Sequence, residues 1–189
     1  RAVDTILTHN KNLALMQCNT NYTGSLENFK YINLNVINTF KIKYPNMILG
    51  LSDHTPGDTT VLGSIVLGAR VIEKHFTDDN SRNGPDHGFS MNSKSWKAMV
   101  ERSREIEASL GDGIKVIEEN EKQSVILQRR CLRVTKNLPA GHTISENDIE
   151  ALRPAPKGSL APYELPDILG KKICVPKLNG DAILKSDIM

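Results

Sequence analysis

The sequence predicts an α/β fold, in which strand–helix units of a parallel sheet are followed by a smaller domain of short strands. Two observations predict it: short apolar runs alternate with amphipathic segments up to Gly111, and Pro, Gly and a repeated motif dominate the tail. Hydrophobic residues make up 39% and charged residues 24% of the 189 residues, as in globular domains. This composition excludes a disordered tail, a collagen-like repeat and a coiled coil.

The first elements follow from the apolar pattern. The run Leu13–Cys18 predicts a strand buried on both faces. Apolar residues then recur every three or four positions from Phe29 to Tyr44, which predicts a helix that ends near Pro45. The run Met47–Leu51 predicts a second strand, and the polar group Ser52-Asp53-His54-Thr55 follows it.

The pattern then repeats along the chain. A short buried helix is predicted over 59–67, with Gly68 as its stop, and a third strand over Val71–Phe76. After a polar loop, a long amphipathic helix is capped by Asn92 or Ser93 and stopped by Gly111. Strand starts lie about 25–35 residues apart, which indicates parallel βα units.

Three such units cannot close a (β/α)8 barrel, which needs eight strands and about 250 residues. The chain also opens on Arg1-Ala2-Val3-Asp4 as if within a preceding helix. We therefore expect residues 1–115 to be the C-terminal part of a TIM-type barrel. The functional side chains of such a barrel lie at the carboxyl ends of its strands.

The tail is predicted to be a separate small domain. The pattern G-x-x-I-x-x-x-D-I begins at Gly141 and again at Gly180, 39 residues later, which indicates a pseudo-symmetric domain of short strands and single-turn helices. We place this domain at 129–189 and a charged linker at 116–128. A core of about 60 residues is marginal alone, so the domain is expected to lean on a partner surface.

His54 and His75 lie at the predicted ends of neighbouring parallel strands and are expected to converge on one rim. Two imidazoles with the nearby carboxylates Asp53 and Asp86 and with water make a site for a divalent transition metal. Each histidine alone is more often structural. Asp86, in Gly84-Pro85-Asp86, is by itself best interpreted as a turn residue.

Other features of the sequence limit the partners and the location that we expect for the protein. Arg153 lies between two stiff segments, where it is either a solvated side chain or an anchor for a carboxylate, phosphate or sugar hydroxyl. Lys and Arg are dispersed and the net charge is +2, so nucleic acid is not expected as a partner. No membrane span or signal peptide is evident, so we expect a cytoplasmic protein. The three cysteines are expected to be small buried hydrophobes.

Several motifs together resemble one family. The runs 48–55 and 71–77, followed by Gly84-Pro85-Asp86, resemble the sialic acid synthase family, which includes N-acetylneuraminate, legionaminic and pseudaminic acid synthases. Cys18-Asn19-Thr20-Asn21-Tyr22 resembles its Cys-x-x-x-Tyr strand end. The tail from Arg129 to Met189 resembles its antifreeze-like domain, of the SAF or β-clip type.

The resemblance implies a condensation of phosphoenolpyruvate with an open-chain N-acylated amino sugar, such as N-acetylmannosamine, to a nine-carbon 2-keto acid and phosphate. It implies that His54 and His75 hold Mn²⁺ or Mg²⁺ and that Asp86 is catalytic. The family positions near phosphoenolpyruvate match Ser52, Thr20 and Asn21, and those near the amino sugar match Tyr22, Asp86 and Arg153. In the family this arginine comes from the other subunit of a domain-exchanged homodimer, and the resemblance implies the same for Arg153.

The sequence departs from the family pattern in three places. Thr23 follows Tyr22 where relatives have Pro, and the family's Arg-Pro-Gly-x-Gly loop is here Arg153-Pro154-Ala155-Pro156-Lys157-Gly158. The first barrel strands, with the family's acidic catalytic residue and phosphate-binding lysines, have no counterpart, so these residues alone are expected not to turn over substrate. The alternatives are an inactive sugar-binding or assembly module and a metal-dependent hydrolase using His54, His75 and Asp86.

Overall fold

The computed structural model describes residues 1–189, which divide into two compact units, Arg1–Ile114 and Lys115–Met189. We call them the first and the second unit and describe each by itself. No helix in either unit is long and apolar enough to cross a lipid bilayer.

The first unit contains a parallel sheet with helices packed against it. Its elements in chain order are α1 (Ala2–Leu7), β1 (Ala14–Cys18), a 3₁₀ helix (Leu26–Tyr31), α2 (Val36–Lys43), β2 (Ile48–Asp53), α3 (Thr59–Val66), β3 (Val71–Lys74) and α4 (Ser93–Ser109).

The three strands are parallel, in the order β1-β2-β3. Ala14 lies opposite Ile48 in the first pair, and Gly50 lies opposite Val71 in the second. The predicted βα order and the parallel sheet are therefore confirmed. The prediction that β1 is buried on both faces is wrong, because the strand is only half-buried. It lies at an edge of the sheet, so it has a neighbouring strand on one side only.

The faces of the sheet differ because side chains alternate along each strand. Leu49, Leu51 and Ile72 pack against apolar side chains of the helices. Ile48 and Val71 occupy the alternate strand positions, whose side chains point to the opposite face of the sheet, and they are 55% and 37% exposed. The helical face therefore holds the core of the first unit, and its buried apolar residues are Ile32, Ile37, Leu49, Leu51, Val61, Ile65, Ala69, Met91 and Met99.

The single helix predicted between Phe29 and Tyr44 is two elements. A 3₁₀ helix covers Leu26–Tyr31, and α2 begins only at Val36. Asn33, between them, has a φ of 50°, in the left-handed region, which an α-helix cannot include. The apolar residues keep their helical spacing through this break, so the spacing alone predicted one helix.

The other two helices agree with their predicted positions. α3 stops before Gly68, whose φ of 107° suits a glycine. At the start of α4, the Asn92 side chain accepts from the Ser95 backbone N–H, and the Ser95 hydroxyl accepts from the Asn92 backbone N–H. This reciprocal capping box fixes where α4 begins.

The second unit is built from short strands and single turns. Its elements are a 3₁₀ helix (Glu119–Glu121), α5 (Lys122–Gln128), β4 (Cys131–Val134), a 3₁₀ helix (Glu146–Asp148), β5 (Ile149–Leu152), a 3₁₀ helix (Pro162–Glu164), α6 (Leu165–Ile168) and a 3₁₀ helix (Lys185–Asp187). β4 and β5 are antiparallel. The core consists of Leu132, Val134, Leu138, Ile144, Leu160, Ile168, Ile173 and Ile183.

The two motif copies adopt the same local structure. Gly141 and Gly180 have φ values of 82° and 86°. Each copy ends in a 3₁₀ turn with a buried aspartate, Asp148 or Asp187, which accepts from the backbone N–H three residues earlier and pairs with a lysine. Isolated β-bridges tie each copy to the segment between them, Thr143 of the first copy to Lys172 and Ile188 of the second to Ile173. The sequence repeat is therefore a structural repeat.

Candidate functional site

Two histidines meet at the carboxyl end of the sheet. β2 ends at Asp53 and β3 ends at Lys74, so His54 and His75 are the first residues beyond neighbouring strands. Their ring centroids are 5.1 Å apart, with an angle of 74° between the rings. His54 is buried, whereas the His75 side chain is 22% exposed. The structure thus brings together the pair that the sequence expects at one rim.

The hydrogen bond of His54 defines which nitrogen is free. Its Nδ1 lies 2.8 Å from the carbonyl oxygen of Asn19 at the end of β1. Because a carbonyl only accepts, Nδ1 carries the hydrogen, and the Nε2 lone pair is left for another partner. A backbone carbonyl that fixes the tautomer in this way is typical of metal-binding histidines.

Asp86 lies beside the second histidine. One of its carboxylate oxygens is 3.4 Å from Nδ1 of His75. The interpretation of Asp86 as only a turn residue is therefore incomplete, since its carboxylate also reaches the histidine pair. Its own carbonyl accepts from the backbone and the hydroxyl of Ser90, so the turn is present as well.

Aromatic side chains line the histidine pair. The Tyr22 ring centroid lies 4.0 Å from that of His54 and 5.5 Å from that of His75. Phe89 packs against His75 at 5.2 Å. Tyr22 is half exposed, so it forms a wall that solvent reaches. Phe89 is a contact that the sequence did not identify.

The loop that carries Asp86 is held by an asparagine that the sequence did not single out. The Asn80 side-chain amide donates to the carbonyls of His87 and Ser90, and its oxygen accepts from Asn92. His87 is half-buried, and its Nδ1 lies 2.8 Å from the Thr77 hydroxyl. Only the tertiary structure shows these partners, because polar loop residues carry no periodic signal.

The other predicted substrate residues are distributed as follows. The Ser52 hydroxyl donates to Glu73 at 2.6 Å, from the opposite position of the neighbouring strand. Thr20 and Asn21 are exposed just beyond β1, and Asn21 accepts from the Thr23 backbone. Arg153 is exposed in the second unit and belongs to no ion pair. No hydrogen bond joins Ser52, Thr20 or Asn21 to either histidine ring.

Asp53, which the sequence suggested as a carboxylate near the histidines, is not available to a ligand. It is buried, and its oxygens accept from Lys74, from the hydroxyls of Thr55 and Thr60 and from the Thr55 backbone. Lys74 was missed as a partner because an interior lysine at a strand end looks like a surface residue in sequence.

The donor set fits part of the coordination shell of a divalent ion. His54 and His75 offer two imidazole nitrogens, and imidazole suits Mn, Fe, Co and Zn better than Mg. No group of three or more His, Cys, Asp or Glu side chains in the chain is placed to hold a metal. An ion held here would therefore take its other ligands from water, substrate or residues beyond this pair.

Comparisons with known proteins give a family match for each of the two units. Residues 1–115 match the model of the NeuB family, and residues 129–189 match that of the SAF domain. N,N'-diacetyllegionaminic acid synthase of Campylobacter jejuni is 35% identical over 161 residues, which cover 85% of this chain and 46% of that protein. Pseudaminic acid synthase of the same species is 35% identical over 178 residues, which cover 94% of this chain and 50% of that protein.

A solved structure is also similar. The crystal structure of N-acetylneuraminic acid synthetase from Leptospira borgpetersenii, in complex with citrate, has a TM-score of 0.56 and 29% identity, with 66% of this chain and 42% of that chain covered. The chain spans about half the length of the curated relatives it matches. With a family model that matches residues 1–115 of the 189 and relatives of 35% identity, the chain belongs to the NeuB family of sialic acid synthases and carries a SAF domain.

Proposed function

We propose that the chain is part of a synthase that condenses phosphoenolpyruvate with an N-acylated amino sugar. The observation that carries the proposal is the pairing of His54 and His75 at 5.1 Å, at the carboxyl ends of adjacent parallel strands of a chain that belongs to this family. The named relatives are acid synthases, which supports a role in the same class of reaction.

In this proposal the first unit is the C-terminal part of a (β/α)8 barrel. β1 and β3 each have one edge without a neighbouring strand, and one sheet face exposes Ile48 and Val71. Further parallel strands at these edges would bury that face, as the interior of a barrel does. The domains are 1–115 for the barrel, 116–128 for the linker and 129–189 for the SAF domain.

His54 and His75 would hold a divalent ion, Mn²⁺ in preference to Mg²⁺, through their Nε2 atoms. When bound, such an ion supplies Lewis acidity that polarises a sugar aldehyde. Asp86 accepts a hydrogen bond from a sugar hydroxyl, and Tyr22 packs against the sugar. Ser52, Thr20 and Asn21 orient phosphoenolpyruvate. A new bond joins C3 of phosphoenolpyruvate to the aldehyde carbon, water adds at C2 and phosphate leaves.

The acceptor follows from the carbon count. A nine-carbon product minus the three carbons of phosphoenolpyruvate leaves a six-carbon amino sugar, such as N-acetylmannosamine or a diacetylated relative. Arg153 would bind this sugar from the partner subunit of a domain-exchanged homodimer. Its exposure and its lack of an ion pair within the second unit support an intermolecular role. The guanidinium suits a carboxylate or a pair of hydroxyls.

The proposal is tested by measuring phosphate release from phosphoenolpyruvate with Mn²⁺ and either N-acetylmannosamine or a diacetylated six-carbon sugar. The assay is run on this chain and on a form extended upstream. Release that requires both the sugar and the extension supports the synthase. A folded extended protein that releases no phosphate with any six-carbon N-acyl sugar contradicts it and favours a binding or assembly module.

A further inference from the structure

A buried ion pair lies directly behind the two histidines. Nζ of Lys74 is 2.5 Å from a carboxylate oxygen of Asp53, and the two side chains are 2% and 0% exposed. Asp53 immediately precedes His54, and Lys74 immediately precedes His75. The pair therefore joins β2 to β3 one residue before each histidine.

The backbone ladder between these strands stops at the same level. Asp53 opposite Lys74 is the last register pair of β2 and β3. Beyond it, the backbone of His75 bonds instead to Met91, on the loop before α4. The regular pairing of β2 and β3 therefore ends immediately before His54 and His75. The last cross-strand link before the histidines is the Asp53–Lys74 side-chain pair.

Lys74 holds both neighbours of His54. Its ammonium donates to the Asp53 carboxylate and, at 2.6 Å, to the backbone carbonyl of Thr55. Asp53 is in turn fixed by the hydroxyl of Thr55 at 2.9 Å and by that of Thr60, in the first turn of α3, at 2.5 Å. The backbone on either side of His54 is thus tied to the end of β3.

The energetics of buried charges favour a positioning role over a stabilising one. Removing two charges from water costs several kcal/mol per ion, so an apolar pair of the same size is often as stable. A buried pair with many hydrogen bonds does, however, define one geometry. Asp53 accepts from Lys74, from two hydroxyls and from one backbone N–H, and Lys74 also donates to the Thr55 carbonyl. What this geometry defines here is the placement of two rings that approach to 5.1 Å.

We propose that the Asp53–Lys74 ion pair is a positioning element, which sets the separation of the His54 and His75 rings and so allows them to bind one divalent ion together. The metal part of this inference rests on the proposed function. The ring separation does not, because it is a property of the chain itself.

The test compares two double variants of the complete chain. Asp53→Asn with Lys74→Met removes both buried charges without leaving one unpaired. The matched control is Asp58→Asn with Arg102→Met. It makes the same kind of change at the 2.8 Å ion pair between Asp58, the residue before α3, and Arg102 on α4, and neither residue lies in the site. Both proteins are checked for folding by circular dichroism.

Two quantities are then measured. In the metal-free protein, nuclear Overhauser effects between the His54 and His75 ring protons are expected to persist in the control and to be lost in the Asp53/Lys74 variant. Titration with Mn²⁺ is expected to show an affinity about 10- to 100-fold lower for this variant, as when residues that hold metal-binding side chains in place are removed. The control is expected to bind Mn²⁺ as the unmodified chain does.

The proposal is overturned if the folded Asp53/Lys74 variant keeps its ring contacts and binds Mn²⁺ with an affinity within about twofold of that of the unmodified chain. An equal loss in the control also overturns it. Should the double variant not fold, Lys74→Arg keeps the charge on a longer side chain, and unchanged ring contacts in that protein overturn the proposal. If His54→Ala leaves Mn²⁺ binding unchanged, the proposed metal role fails, and the ring contacts alone decide the positioning role.

Discussion

Among single residues, His54 and His75 differ from the other histidines in what surrounds them. The free Nε2 of His54, its fixed Nδ1, the His75 ring and the nearby Asp86 carboxylate form one small polar site beside aromatic side chains. His142, by contrast, is 30% exposed, and its Nε2 lies 2.9 Å from the buried carboxylate of Asp148 in the second unit.

Replacing His75 by Ala is expected to weaken Mn²⁺ binding by about 100-fold or more, because one of two imidazole donors is lost. The side chain is 22% exposed, so the cavity is small and the melting temperature is expected to change little. His9→Ala, at an exposed histidine before β1, is the control. Equal Mn²⁺ affinities of the two variants, measured by titration, would argue against the metal site.

Asp148 makes the second unit sensitive to acid. Hydrogen bonds from the Lys136 ammonium and, with a smaller effect, from the His142 imidazole hold the pKa of the Asp148 carboxyl well below its usual range. A carboxyl whose pKa is lower in the folded than in the unfolded state stabilises the fold above the unfolded value, near pH 4. That stabilisation is lost progressively as the pH falls below about 4 toward the folded pKa.

Asp148→Asn is therefore expected to lower the free energy of unfolding of the second unit by about 2 kcal/mol at pH 7, because hydrogen bonds to a buried charge are lost. The difference from the unmodified chain is expected to shrink between about pH 4 and pH 2. Urea unfolding followed through amide signals of the second unit measures it. Asp167→Asn, at an exposed aspartate, serves as control, and a difference that does not depend on pH would refute this explanation.

Among the elements, β2 depends on a close approach to β3. A Cβ on Gly50 would lie 2.4 Å from the backbone carbonyl oxygen of Val71 and 3.0 Å from the Met16 side chain. Gly50→Ala is therefore expected to push the strands apart and to lower the free energy of unfolding of the first unit by about 2 kcal/mol or more. Gly88→Ala, where no atom lies within 4 Å of the added Cβ, is the control in thermal unfolding.

Elements were predictable wherever apolar spacing and a stop signal agreed. β2, α3 and α4 had both, and their positions followed from the sequence. The break at Asn33 was not predictable, because its left-handed backbone leaves the apolar spacing intact. The partial exposure of β1 also depends on what lies beside it in the sheet, which local sequence does not encode.

For the whole molecule, the connection between the two units is the most accessible stretch of backbone. Residues 111–120 are all exposed, and the Lys115 side chain is 89% exposed. Limited digestion with trypsin is expected to cut first after Lys115 and to spare Lys177, whose side chain is 12% exposed and paired with Asp187. Mass spectrometry identifies the cut, and Lys115→Gln is expected to delay it. Early cleavage after Lys177 would contradict this division.

The candidate site was predictable in part. Matched positions at strand ends pointed to His54 and His75, because parallel strands bring their carboxyl ends to one edge. Asn80, Phe89 and Lys74 were not predictable, since their roles come from partners far away in sequence. The sequence placed the Asp53 carboxylate at the site, which is wrong for the same reason. That Asp53 is next to a histidine in sequence does not show where the Asp53 side chain points, and its partner Lys74 is 21 residues away.

The open edges of the three-stranded sheet have a practical consequence for work with these residues in isolation. The outer edges of β1 and β3 present unpaired N–H and C=O groups beside the exposed apolar side chains of Ile48 and Val71. Such an edge is a template for a strand of another molecule. A preparation of these residues alone is therefore expected to self-associate as its concentration rises, and dilute samples or a solubilising fusion partner are the safer choice for solution measurements.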